Sequence, residues 1–382
     1  MKVLVCGDVH LTNYSMFNQQ TENNAIGSRL AYILKALDYF FDYGAKNGIT
    51  KFVINGDLFD KRQSDNPSTM AMIRYHIIQK YKFIANYGDE LGGEPCELFL
   101  NVGNHDSYGR VPYPNAIQDF NFYSDSEHLI HVFNEVSQKE FDDSNLLFIP
   151  YSEKVDELKQ DIKDALTKWK NGKPTYVFAH LGVTGGVQGR WNHRLSDAFN
   201  VGDLGWNDDN VKLITLGHFH TRSIVKKQGK KQAYYVGDLT ALNFNDILPN
   251  GSGAPRGFDE IDTVTGEHKF IDLTKEPYSI PTFNQIDLED GSNLGLDTLN
   301  PNNYYKITTK DRETYDHLSK ERESLPNASN IQLVLIPQEI ETDLDIDPNM
   351  SDNDLVAEYC KKNYPGLEKK ALEYLRKARE QS

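Results

Sequence analysis

Little in this sequence points to the outside of a cell or to a membrane. The 382 residues include only 3 cysteines. Cys6, Cys96 and Cys360 are scattered and odd in number, so neither a disulfide framework nor a zinc knuckle is implied, and a reducing compartment fits. No stretch is apolar enough to span a bilayer, and the first residues enter a strand without the basic and small-residue pattern of a secretory leader. A soluble, cytoplasmic protein is expected. Basic charge is scarce too: 41 Lys and Arg stand against 56 Asp and Glu, a net charge of -15. That excludes a free-standing nucleic-acid binder held by counterion release. If nucleic acid is the substrate, a local basic groove or a basic partner must help. There is no internal repeat. The length suffices for a large core and more than one domain.

What is present alternates. Lys2 to Cys6 is a short apolar strand, ended by Gly7-Asp8-Val9-His10. A polar loop over 12–28 precedes Leu30, Ile33, Leu34, Leu37 and Phe41, whose spacing predicts an amphipathic helix. Phe52-Val53-Ile54 is a second strand, followed by Asn55-Gly56-Asp57, a polar loop and a helix from about 68 to 87. A third strand, 97–102, runs into Gly103-Asn104-His105-Asp106. This order predicts a parallel α/β layer sandwich, in which ligands gather outside the carboxyl ends of the strands. Residues 107–145 read as irregular and aromatic-rich. Strands are expected at 146–149, at 175–179 before His180, and at 213–216 before Gly217-His218-Phe219-His220, with a helix near 153–170. The Gly-, Asn- and Asp-rich segment 182–210 reads as a long loop or lid. Strands near 233–236, 257–261 and 269–273 are expected to form a second, partly antiparallel sheet.

Four segments are expected: a core over 1–275, a small βαβ-like capping domain over 276–337, an acidic linker over 338–350, and a helical tail over 351–382. The linker carries Glu339, Glu341, Asp343, Asp345 and Asp347 without a base among them, which favours a solvated tether. The tail should form two short helices broken at Pro365-Gly366, with Leu355, Tyr359, Leu372 and Leu375 on apolar stripes that suit a partner protein.

Asp8, His10, Asp57, Asn104, His180, His218 and His220 each fall at or just beyond a strand end, with His105 beside them. A lone Asp-x-His is common and Gly-Asp is most often a turn. All five pieces, each at a strand end, are hard to explain as turns. Alternate residues of an extended segment project to one side, so Asp8/His10 and His218/His220 can each present two donors together. Mixed nitrogen and oxygen donors suit Mn²⁺, Fe²⁺ or Zn²⁺. Seven donors exceed one such ion, whereas two ions about 3.5–4 Å apart sharing a carboxylate would use them. That arrangement suits phosphoester hydrolysis, with His105 as proton donor to the leaving group and Asp106 orienting its ring or loop. His76, His128, His131, His193, His268 and His317 lack such context and read as surface or packing residues, although His193 lies in the lid-like loop, where it can reach substrate.

These five motifs, in this order over 1–220, resemble those of the calcineurin-like metallophosphoesterases. The resemblance implies a four-layer α/β/β/α sandwich with a small α+β capping domain and a helical tail. Gly56-Asp57-Leu58-Phe59-Asp60, the small domain and the C-terminal helices are similar to those of DNA-repair nucleases of the SbcD or meiotic-recombination-eleven type. Pro255-Arg256-Gly257-Phe258 and the acid linker look like the versions carried by large tailed phages, which would place the protein in a host cytoplasm.

The resemblance implies that Asp8, His10 and His220 hold one ion, that Asn104, His180 and His218 hold the other, and that Asp57 bridges. Two Mn²⁺ would serve, with Mg²⁺, Fe²⁺ or Zn²⁺ as substitutes. It implies 3′-to-5′ exonuclease activity on duplex DNA and endonuclease activity on single strands, in double-strand-break repair, recombination and replication. The implied partner is an SbcC-type (Rad-fifty-like) ATPase of the SMC family with a long coiled coil. It also implies a homodimer within a heterotetramer, formed through core helices including 68–87, where Met70, Ile73 and Ile77 would face a mate. Asp60 stands where many cellular members carry a second His, and Thr12 where they carry Gly. A protein phosphatase or nucleotide phosphodiesterase on the same scaffold, and a non-catalytic scaffold subunit, are the rival readings.

Overall fold

The computed structural model describes residues 1–19, 21, 26–60, 67–84, 95–108, 113–168, 171–189, 193–194, 197–289, 292, 294–337 and 350–380. Seventeen strands are described. In chain order they are β1 (Lys2–Cys6), β2 (Lys51–Asn55), β3 (Cys96–Asn101), β4 (His128–Phe133), β5 (Ser137–Glu140), β6 (Asn145–Ile149) and β7 (Thr175–His180). Then follow β8 (Val187–Gln188), β9 (His193–Arg194), β10 (Val211–Gly217), β11 (Ser223–Gln228), β12 (Lys231–Tyr235), β13 (Gly257–Asp262) and β14 (His268–Asp272). The last are β15 (Phe283–Asp287), β16 (Tyr304–Thr309) and β17 (Ile331–Leu335).

One six-stranded sheet has the order β14-β13-β1-β2-β3-β4 and the other β11-β12-β10-β7-β6-β5. The four strands β1 to β4 run parallel, as do β6, β7, β10 and β12. Alternation along each strand assigns its side chains to opposite faces. Val3 and Val5 of β1 meet Tyr176 and Phe178 of β7 in a core between the sheets. Leu4 and Cys6 face instead a core built with Leu30, Ile33, Leu37 and Phe41 of helix α1 (Ser28–Lys46) and Ile73 and Ile77 of α2 (Pro67–Phe83). Val177 and Ala179 face α3 (Val155–Lys168) through Leu158 and Ile162. The layers are therefore α/β/β/α.

Three expectations are corrected. The stretch 107–145 is not irregular throughout: β4 pairs in parallel with β3. His128 and His131 interrupt its apolar run, and each finds an acid, Asp125 at 2.9 Å and Glu97 at 3.0 Å. β13 and β14 do not belong to the second sheet. They extend the first, with β13 antiparallel to β1, because an antiparallel hairpin can pair with either exposed edge. Met70, Ile73 and Ile77 are buried in the chain's own core, so they are not the face that α2 offers to a mate.

β15, β16 and β17 form a small parallel sheet covered by α4 (Arg312–Glu323), with Leu318 packed among Leu296, Ile307 and Ile331. Asp311 caps α4 by accepting from the backbone N–H groups of Glu313 and Thr314. The chain divides into two compact units, 1–335 and 336–382. In the second, α5 (Asp352–Asn363) begins at a Ser351 cap and α6 (Glu368–Glu380) follows the turn at Gly366. Leu355, Tyr359, Leu372 and Leu375 are half-buried there, while Tyr364, Leu367 and Tyr374 are exposed. The acids 339–347 lie outside the described residues. Cys6, Cys96 and Cys360 are free and buried. Among the described residues no helix is long and apolar enough to cross a membrane.

Candidate metal centre

The carboxyl ends of β1, β2, β3, β7 and β10 converge. Beneath the convergence two buried amides cross between the sheets. Asn55 donates to the carbonyls of Ala179 and Thr215, at 3.1 and 3.2 Å, and Asn101 donates to Asn55 Oδ1 and to the Ile149 carbonyl. Two buried amides thus tie one sheet to the other.

Directly above, the backbone is strained. Asp8, His10, Asp57 and His218 all have positive φ, between 49° and 96°, a region that residues with a Cβ seldom occupy. Glycines make the close approaches. A Cβ on Gly56 would lie 2.0 Å from the His180 ring, and one on Gly103 would lie 2.1 Å from Asp57 Oδ1.

The donor groups meet in overlapping sets. Donor atoms of Asp8, His10 and His220 lie within 4.8 Å of one another, and so do those of Asp8, Asp57 and His180. One oxygen, Asp57 Oδ2, lies 3.2 Å from His180 Nε2 and 3.8 Å from His10 Nε2, so it faces both sets. Asn104 Oδ1 is 3.1 Å from His180 Nε2 and 2.8 Å from His218 Nδ1. The His218 N–H donates to Asp8. All seven expected donors are therefore gathered in one place.

Their hydrogen bonds fit a cation. His180 Nδ1 lies 2.8 Å from the Asn55 carbonyl and must donate to it, since a carbonyl only accepts. Its Nε2 then faces a carboxylate oxygen and an amide oxygen, and holds either a proton or, once that proton is displaced, a lone pair for a cation. Three electron-rich atoms facing one another require positive charge between them. Both ring nitrogens of His10 and Asp57 Oδ2 are buried without a hydrogen-bond partner. Orphans of this kind, gathered where the other donors converge, are what a metal site leaves when its donors are counted alone.

In the metal-free protein a proton on His180 supplies that positive charge. Burial opposes charge on His180, but the Asp57 carboxylate more than offsets this and pushes the ring up to about 9. Burial alone would raise Asp57, yet His180, His10 and His105 hold it below the usual carboxylate range. Burial and the charge on His180 lower His218 to about 4, which keeps its nitrogen free to ligate. His220 is lowered too, by burial.

His105 is half-buried beside the His10 ring, with centroids 4.8 Å apart. Its backbone N–H donates to Asp57 Oδ1 at 2.8 Å, and its Nδ1 donates to the Asp60 carbonyl. That bond fixes the tautomer and leaves Nε2 to exchange protons with a bound molecule. Asp106 orients the loop rather than the His105 ring. It accepts from the N–H groups of Gly103, Leu58 and Phe59, and so ties the third motif to the second. Burial and Asp57 push its carboxyl up to about 6.

Sequence reasoning misses three participants. Asp60 stands out there only for the His it replaces, yet its Oδ1 lies 3.3 Å from His10 Nδ1. Its one signal is the three-residue step from Asp57. Asp238 and Asp246 join His220 in a further cluster. Gly237-Asp238 after β12 repeats the Gly-Asp step of the first two motifs, and that signal lies in plain view.

A family model described as "Calcineurin-like phosphoesterase" matches residues 1–222. Exonuclease subunit 1 of Enterobacteria phage T4 is 27% identical over 306 residues, which cover 78% of this chain and 76% of that protein. Among solved structures, a dimetal phosphatase from Danio rerio aligns with 12% identity and a TM-score of 0.36, over 68% of this chain and 91% of that one. A hypothetical protein from Thermus thermophilus aligns with 12% identity and a TM-score of 0.35, over 71% of this chain and 97% of that one.

Proposed function

The chain belongs to the calcineurin-like phosphoesterase family, and from that premise we propose that it is the nuclease subunit of a DNA-processing complex. Asp8, His10 and His220 would hold one divalent cation, Asn104, His180 and His218 the other, and Asp57 both. The observation that carries this reading is the convergence of orphaned buried donors on Asp57 Oδ2, which faces His180 and His10 together.

Bound cations supply Lewis acidity toward the phosphoryl oxygens and a nucleophile at neutral pH. The chain supplies the rest. Positive-φ residues and Gly56 and Gly103 hold the donors at fixed positions, so little reorganisation is needed as charge builds on the phosphate. His105, its Nδ1 committed to the Asp60 carbonyl, presents Nε2 to the leaving oxygen and delivers its proton there. Asp106 holds the loop that carries His105.

The relative from phage T4 is called an exonuclease subunit, which supports DNA as substrate and a partner chain. We assign the helical tail, through Leu355, Tyr359, Leu372 and Leu375, to an SbcC-type ATPase with a long coiled coil. A partner of that kind would supply the basic surface that a net charge of -15 denies this chain. Manganese as the working metal, 3′-to-5′ polarity on duplexes, endonuclease action on single strands, pairing of two copies, a role in break repair and a host-cytoplasmic setting complete the proposal.

Purified protein with Mn²⁺ should degrade linear duplex DNA from 3′ ends. His105→Ala should abolish this, by about 10²-fold or more, while metal content stays unchanged. Cleavage of small phosphoesters alone would defeat the assignment.

A further inference from the structure

The cluster behind His220 is not accounted for by the reaction as described. Asp238 is 1% exposed, and neither of its carboxylate oxygens has a hydrogen-bond partner. The nitrogen it approaches is His220 Nδ1, 3.4 Å from Oδ2. Several contacts hold the two residues in register. The Asp238 N–H donates to the His220 carbonyl at 3.3 Å, and the Arg256 guanidinium donates to that same carbonyl. Arg256, itself buried, also donates to the Asp246 carbonyl at 2.9 Å. Gly237 allows the approach: it has φ of 80°, and a Cβ there would meet Arg222 N at 2.9 Å and the His220 carbonyl at 3.1 Å. An isolated bridge between Gly7 and Asp238 places this acid beside the end of β1, next to Asp8.

A buried carboxylate with no donor of its own is costly, and few chains keep one without use. An imidazole that ligates through one nitrogen needs the other oriented, and a carboxylate is the commonest partner for that purpose. We propose that Asp238 is a positioning residue: it accepts the Nδ1–H of His220, fixes the tautomer that turns Nε2 toward Asp8 and His10, and so sets the affinity of that half of the centre alone. Arg256, by gripping the His220 carbonyl, keeps ring and carboxylate facing each other. Asp246 does not take this part, because its Oδ2 accepts from the N–H groups of Leu242 and Asn243. The inference rests on the reading of His220 as a metal donor.

Two measurements on the full-length chain test it. In metal-free protein labelled with ¹⁵N-histidine at pH 8, His220 should show a protonated Nδ1 and a bare Nε2. Asp238→Ala should populate both tautomers. In a manganese titration followed by calorimetry, Asp238→Ala should weaken one of two sites by about tenfold or more and leave the other unchanged. Should that variant fail to fold, Asp238→Asn, of equal volume and uncharged, should weaken the same single site severalfold. A bare Nδ1 in the wild type, two unaltered sites in the variants, or equal loss at both sites would overturn the inference alone. A wild type that binds no manganese would overturn the metal reading and this inference with it.

Discussion

At the amino ends of β2 and β3, Lys51 Nζ lies 3.3 Å from Glu97 Oε1 and 3.2 Å from the Pro95 carbonyl, while Glu97 Oε2 meets His131 Nε2 at 3.0 Å. At the carboxyl ends of the same two strands, His180 Nε2 faces two acceptors, Asp57 Oδ2 and Asn104 Oδ1, both His10 ring nitrogens are buried without a hydrogen-bond partner, and Asp57 sits at positive φ. Both ends are buried and rich in charge, so burial and composition do not distinguish them. What differs is whether the chain satisfies its own polar groups. At one end Lys51, Glu97 and His131 meet counterparts of opposite sign within the chain. At the other the counterpart has to arrive from solution, and the Asn55 and Asn101 amides mark the layer where the change occurs. A folded chain tolerates the second arrangement only where surrounding packing over-determines it, and here two sheets clamp it.

The largest effect is expected from removing the oxygen that faces His180 and His10 together. Asp57→Asn should lower nuclease turnover by about 10³-fold or more, because it takes away a carboxylate oxygen that faces His180 and His10 together. It should also weaken manganese binding at both sites, unlike the one-sided loss expected at Asp238. Single-turnover cleavage and calorimetry would register the two effects. A variant with near-normal turnover would mean that Asp57 is not the shared ligand.

A smaller effect tests the same end without any substrate. In chelator-treated protein the His180–Asp57 contact is an ion pair, with the His180 pKa raised from the usual 6.5 to about 9. A group whose folded pKa is raised stabilises fully below its unfolded pKa and loses that contribution as pH climbs through the folded value. Metal-free protein should therefore lose stability between about pH 6.5 and pH 9, on the order of a few kcal/mol. Asp57, held low, gives the complementary limb: its contribution fades in strong acid. His180→Asn should flatten the alkaline limb. Chemical denaturation at several pH values in chelator would show it, and a wild type as stable at pH 9 as at pH 6.5 would contradict the ion-pair account.

Much of the carboxyl end is legible in the sequence because its chemistry is concentrated in short motifs. Asp8/His10 and His218/His220 announce themselves by their two-residue spacing, although the structure brings each pair together through positive-φ residues past the strand end and not through an extended strand. Gly56 and Gly103 announce themselves by the turns that bring donors together. Asp60 and Asp238 escape notice for a physical reason. Asp60 comes beside His10 only through folding, Asp238 meets His220 only across the β11–β12 hairpin, and neither has a motif that names its partner. The amino end is less legible still. Lys51, Glu97 and His131 look like ordinary strand residues, and His131 helps to hide β4. Sheet membership of β13 and β14 is misjudged because hydrophobic alternation says which face of a strand is buried, and not which edge the strand joins.

The amino end makes the smallest prediction and the one that isolates stability from function. Glu97→Gln leaves Lys51 buried without its carboxylate. Breaking a fully buried pair costs about 3–5 kcal/mol. Lys51 retains the Pro95 carbonyl, however, and the Glu97 side chain is 12% exposed, so a loss of about 2 kcal/mol at pH 7 is expected. The sign with pH is opposite to that of His180. Burial opposes charge on Glu97, but His131 and Lys51 hold its pKa below the ordinary value. Its contribution is therefore present above about pH 4.5 and disappears as pH falls through the depressed folded value. Wild type and Glu97→Gln should differ in urea unfolding at pH 7 and converge below about pH 4. Nuclease turnover at a temperature where both are folded should be equal, because none of the three residues touches the donor cluster. A turnover that fell with stability would show that the two ends of these strands are coupled, and the separation drawn between them would fail.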